Sequence, residues 1–113
     1  MTVVTLSVVT RDAVTHRATA ALRGDAQGTH ISFATPELLW KTLTPKRWDL
    51  LQAMTGRGAM SIRGLARHVA RDVKSVHGDI VALAAAGVID RTAEGVVFAH
   101  DAVHVDFTLT KAA

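Results

Sequence analysis

The sequence predicts an α+β fold, and three observations carry that prediction. Apolar residues recur at helical spacing through the middle of the chain. β-branched runs alternate with polar residues toward both ends. Thr-Pro starts and a glycine stop punctuate the helical stretches, so short elements follow one another without long loops. The chain has 113 residues, of which 49% are hydrophobic. That is enough for one domain with its own core, and too apolar for wholesale disorder.

The elements follow in order. Thr2–Val9 is rich in valine and threonine and reads as a strand. It lacks a basic leader and is interrupted by polar residues, so a secretory leader is not expected. Residues 11–23 place Val14, Ala18, Ala21 and Leu22 on one thin helical stripe. Residues 24–28 form a glycine-bounded loop, and Thr29–Ala34 alternates Ile31 and Phe33 with polar neighbours. Residues 1–34 thus read as a β-α-β accessory unit. Its strand and alanine-rich helix promise little burial within one copy, which points to dimerisation.

Thr35-Pro36 opens a short helix to Leu43, with threonine as cap and proline at the first helical position. Thr44-Pro45 repeats the device and starts a helix to about Met54, with Trp48, Leu50, Leu51 and Met54 as its expected buried face. Met60–Ile62 is an extended link. A helix over about 63–70 buries Leu65, Ala66 and Val69. Asp72 caps the next helix, whose core stripe is Val73, Val76, Ile80 and Leu83 and whose stop is Gly87. Val88–Arg91 and Val96–Ala99 flank Thr92–Gly95 as a four-residue hairpin loop. Val103, Val105, Phe107 and Leu109 then alternate with polar residues as a half-buried strand.

Charge is unevenly placed. Residues 36–86 carry eight Lys/Arg against four acids, whereas residues 87–113 carry two against four. A polyanionic partner would meet the middle of the chain. There, two helices joined by a tight turn and followed by a hairpin form the pattern of a winged helix-turn-helix, whose second helix enters the DNA major groove. The core stripe leaves Lys74, Ser75, His77 and Gly78 facing outward as base-reading candidates, with Val81 beside them. Lys74 can reach a phosphate or a guanine edge, Ser75 can donate or accept, and His77 can donate to a base acceptor. Gly78 costs the helix roughly 1 kcal/mol against alanine, with close backbone approach to DNA and simple tolerance both open as reasons. Lys46, Arg47, Arg63, Arg67, Arg71 and Arg91 are phosphate-binding candidates, which would set register and salt dependence rather than sequence choice.

Six stretches carry a resemblance to a known group: Ile31-Ser-Phe-Ala-Thr-Pro-Glu37, Leu43-Thr-Pro-Lys-Arg-Trp48, Ser61-Ile-Arg-Gly-Leu-Ala-Arg67, Ala70-Arg-Asp-Val-Lys-Ser-Val-His77, Ala86-Gly-Val-Ile89 and His104-Val-Asp-Phe107. Residues 44–109 resemble winged-helix regulators of the broad MarR-like type, and residues 28–109 more narrowly resemble small prokaryotic DNA-binding regulators, some of which are antitoxins beside a small toxin. With the elements read above, the winged-helix domain is expected over 35–113, and the resemblance implies repression of its own operon and a small toxin protein as partner. It places Arg71, Lys74, Ser75 and His77 in the turn and recognition helix. Two departures stand out: Gly78 replaces an expected basic residue, and the wing loop has Glu94 with only Arg91 nearby.

Other chemistries are poorly served. Cysteine is absent, which excludes disulfides and thiolate zinc sites and suits a reducing cytoplasm. No apolar run approaches the ~20 residues of a membrane span. His100, His104 and Asp106 could form a two-histidine, one-carboxylate set, but on the polar side of an edge-like strand solvated histidine is ordinary, and no metal or other cofactor is expected. No nucleophile–base arrangement, phosphate loop or paired acids support an enzyme. Trp40 and Trp48 are expected in the core, with Trp40 a candidate for an interface. The leading expectation is a homodimeric, sequence-specific regulator that binds double-stranded DNA. The alternative is a winged-helix protein-interaction module, for which the alanines at 82 and 84–86 would make a smooth surface.

Overall fold

A computed structural model describes residues 2–8 and 29–106. The helix expected over 11–23 and the loop at 24–28 lie outside the described residues, as do Phe107 and Leu109. The described residues form a small α+β fold: strands β1 (Val3–Val8) and β2 (Thr29–Phe33), helices α1 (Pro36–Thr42), α2 (Pro45–Met54), α3 (Ile62–Val69) and α4 (Val73–Ala85), then strands β3 (Asp90–Thr92), β4 (Gly95–Val97) and β5 (Ala102–Asp106).

Strands β1, β2 and β5 make one parallel sheet with β1 in the centre. Leu6 pairs with Ile31 on one side and with Val105 on the other. Val4 and Leu6 are fully buried, in the same core as Leu39, Leu50, Leu65 and Ile80. The division expected at 34/35 therefore passes through one sheet and one core. Val4 and Leu6 of β1 are thus covered within a single chain, while the alanine-rich helix, the other ground for expecting a dimer, lies outside the described residues. A reciprocal clasp fixes where β5 begins: Thr2 N–H donates to Asp101 Oδ2 at 2.8 Å, and Asp101 N–H donates to the Thr2 carbonyl at 2.7 Å.

Both Thr-Pro starts act as caps. Thr35 Oγ1 accepts from Leu38 N–H and Thr44 Oγ1 accepts from Arg47 N–H, each at 3.2 Å. Helix α2 turns Leu50, Leu51 and Met54 inward, all essentially buried. At 100° per residue Arg47 falls in the middle of that arc and Trp48 falls off it. This corrects two expectations. Trp48 is 37% exposed and Trp40 49% exposed, so neither is a core residue, while Arg47 is half-buried.

Helices α3 and α4 are joined by three residues, Ala70 to Asp72. Ala70 adopts the left-handed conformation, φ 55° and ψ 47°. Arg71 N–H then donates to the Ala66 carbonyl at 2.9 Å, the six-to-one bond that closes a Schellman turn. Asp72 caps α4, its Oδ2 accepting from Ser75 N–H at 2.9 Å. Val76, Ile80 and Leu83 are fully buried, but Val73, expected on the same stripe, is 38% exposed at the first turn of the helix. At the far end Gly87, with φ 85°, lets Val88 N–H return to the Leu83 carbonyl at 3.0 Å.

The hairpin is tighter than its sequence suggested. Thr92 pairs with Gly95, leaving two residues in the turn rather than four. Val96 also exchanges two backbone bonds of 2.8 Å with Met60, so the hairpin docks on the extended segment ahead of α3. Gly95 is required there: its φ is +135°, and an added Cβ would collide with the Met60 carbonyl oxygen. Val88, Ile89, Val96 and Phe98 anchor the hairpin's base in the core.

Candidate functional site

Helix α4 presents two faces. One is the buried stripe of Val76, Ile80 and Leu83. Lys74 and Gly78 lie opposite it, His77 and Ser75 lie on its two flanks, and all four are exposed. Neither Lys74 nor His77 is engaged by a hydrogen bond or ion pair among the described residues. Nothing lies within 4 Å of a Cβ built on Gly78, so the face is open at that point. Ser75 differs from its sequence expectation. Its hydroxyl donates to Asp72 Oδ2 at 3.1 Å as part of the helix cap, so what it turns outward is an acceptor. The capped first turn also carries the positive end of the helix dipole, which adds to the charge of Lys74.

The six arginine and lysine candidates divide. Lys46, Arg63, Arg67 and Arg91 are exposed. Arg63 and Arg67 lie on the arc of α3 opposite Leu65 and Ala66. The structure brings Arg63 together with Arg91: both line a cleft of about 390 Å³ between the start of α3 and the hairpin. Ser61 at the mouth of that cleft caps α3, its Oγ accepting from Gly64 N–H at 3.0 Å.

Arg47 and Arg71 are turned inward instead. Arg47 Nε donates to Asp79 Oδ1 at 3.0 Å and Arg71 Nη2 donates to Asp79 Oδ2 at 2.7 Å. Arg47 Nη1 also donates to the carbonyls of Lys41 and Thr42, at 2.9 and 3.1 Å, satisfying the open end of α1. Arg71 Nη1 is buried. The three side chains are only 16–21% exposed. Burial by itself raises the Asp79 carboxyl, but the hydrogen bonds and positive charges of Arg71 and Arg47 outweigh it and hold the group below the ordinary aspartate range. This node ties α1, α2 and the α3–α4 turn to α4. It sets the angle at which the outward face stands, and it withdraws both arginines from the phosphate-binding set expected for them. Asp79, the acid that withdraws them, is not among the residues expected at the site; its signal in the sequence is its place on the flank of α4's buried stripe.

Two further features lie away from that face. Trp40, Leu43, Pro45, Trp48 and Val105 line an apolar groove of about 470 Å³ beside β5. The histidines do not gather. The His100 ring packs at 5.6 Å on Phe98 with Nδ1 buried, and His104 is exposed on β5. No group of three or more histidine or acidic side chains is disposed to hold a metal among the described residues, and no helix among them is long and apolar enough to cross a membrane.

No curated protein matches the chain. One family model, HVO_A0114, matches residues 42–105, which take in α2, α3, α4, the hairpin and nearly all of β5. That is more than half of the sequence, and the chain belongs to the HVO_A0114 family.

Proposed function

We propose that this protein is a sequence-specific regulator of transcription that binds double-stranded DNA through a winged helix-turn-helix of MarR-like type. Helix α3 and the three-residue turn are the first half of the motif, α4 is its recognition helix and the β3–β4 hairpin is its wing. The observation that carries the reading is the outward face of α4. A rigid, capped helix with a buried opposite side presents Lys74, Ser75, His77 and an open Gly78 together, directly after a tight turn. Lys46, Arg63, Arg67 and Arg91 supply the phosphate contacts that fix register. The protein acts in the cytoplasm as a homodimer, and a two-fold dimer reads half-sites ~34 Å apart or a multiple of that. By its resemblance to antitoxin-type regulators it represses its own operon and takes a small toxin as partner. No catalytic step and no cofactor enter the proposal.

A salt titration of duplex binding, on the DNA upstream of the protein's own gene, tests it. Affinity should fall steeply and linearly on logarithmic axes as salt rises. Binding that ignores salt, or no binding at low salt, would sink the reading.

One observation favours a second reading, a winged-helix module that binds protein. The groove walled by Trp40 and Trp48 is apolar and open, and half-exposed tryptophans are typical anchors of protein interfaces. The two readings use different surfaces, so substitutions in the groove would spare DNA binding under the first and abolish partner capture under the second.

A further inference from the structure

The outward stripe of α4 runs on past Gly78. At 100° per residue Lys74, Gly78 and Val81 share one line of the helix, with His77 on its flank. Val81 is 42% exposed. The fold does not need it, since Val76, Ile80 and Leu83 already make the buried stripe. Helix stability does not favour it either, because a β-branched residue is a poorer choice than alanine or lysine on an exposed helical face.

Its surroundings suit a polyanion. Lys74 stands on the same line, and Arg63, Arg67 and Arg91 are exposed without an ion pair among the described residues. The major groove of DNA offers one apolar group on its base edges, the 5-methyl of thymine. Valine is short, and reaching that methyl demands close approach of the helix. Gly78 permits it, presenting no side chain and no neighbour within 4 Å of where one would begin.

We infer that Val81 is a specificity-determining residue whose isopropyl group packs on the methyl of a thymine. Val81 lies four residues beyond His77, ~6 Å along the helix axis. The thymine therefore stands about two base pairs along the groove from the base that His77 reads. The inference rests on the DNA-binding reading and adds to it the identity of one base.

The test starts from duplexes recovered by the wild-type protein from a random-sequence pool. Each thymine of the recovered sequence is replaced in turn by deoxyuridine, which pairs identically and lacks only the methyl. At one position in each half-site wild-type affinity should fall about fourfold, the equivalent of one buried methyl group. Val81→Ala should bind the thymine and deoxyuridine duplexes equally, with the affinity of wild type for the duplex replaced at that position in both half-sites. Its thermal stability should match wild type, since alanine is welcome on an exposed helical face. The inference is overturned if every replacement is neutral for wild type, if Val81→Ala keeps the wild-type loss, or if the recovered sequence has no thymine. A pool that yields no preferred sequence overturns the base-reading proposal as well, and so is told apart from a failure confined to Val81.

Discussion

Arg63 and Arg67 differ from Arg47 and Arg71 in one respect: whether a carboxylate lies within reach. The first pair stands on the outer arc of α3, exposed. The second pair converges on Asp79 and is mostly covered. Along the sequence the four look alike, basic residues in a basic segment. The difference teaches that net charge overstates a binding surface. Two cations spent on one interior carboxylate brace the scaffold, and only the remainder can meet a polyanion.

Removing the carboxylate should break that contrast with the largest effect. Asp79→Ala leaves two guanidinium groups facing each other without their anion. A loss of about 2–3 kcal/mol in unfolding free energy is expected by denaturant titration, less than for a fully buried pair because the node keeps some solvent contact. A variant as stable as wild type would show that the node is ornamental.

Acid should act on the same node. The Asp79 carboxyl is held low in the folded chain, while the unfolded value is about 3.9. Its stabilisation is therefore complete above that value and fades as pH falls through the lower folded value. The stability gap between wild type and Asp79→Asn should be constant from about pH 7 to pH 5 and close below about pH 4. A gap that opens on acidification would reverse the assigned sign.

The outward face should answer differently. Lys74→Ala should leave stability within about 0.5 kcal/mol of wild type. It should also weaken binding to all duplexes and lower the salt slope by about 1 per bound protomer. A stability loss comparable to that of Asp79→Ala would place Lys74 with the braced set.

The smallest effect concerns the turn itself. Ala70→Gly relieves a left-handed alanine but frees the unfolded chain, two terms that nearly offset. A change of no more than about 0.5 kcal/mol is expected, with duplex affinity unchanged. A drop of well over about 1 kcal/mol would mean that the Ala70 methyl holds the turn through contacts beyond its own backbone.

Local chemistry made much of this molecule readable from its residues. Thr35, Thr44 and Asp72 announce helix starts because each cap is settled within three residues. Gly87 announces a stop for the same reason. The parallel sheet was not readable, because Val3 pairs with Ala102 and alternation within either strand says nothing about its partner. Residue type points Arg47 to the surface, although its helical position lies among Leu50, Leu51 and Met54. Residue type points Trp48 to the core, although its position lies off that arc. The Ser75 hydroxyl can donate or accept, and the cap three residues before it has a prior use for the proton. In each case the geometry of the element outranked the character of the side chain.

Parallel pairing of β1 and β5 has a mechanical meaning. Tension applied at Thr2 and Asp106 would pull two neighbouring strands in opposite directions along their length. Every rung between them would bear the load at once instead of opening one after another. Stretched between those two points, this small fold should yield late and abruptly.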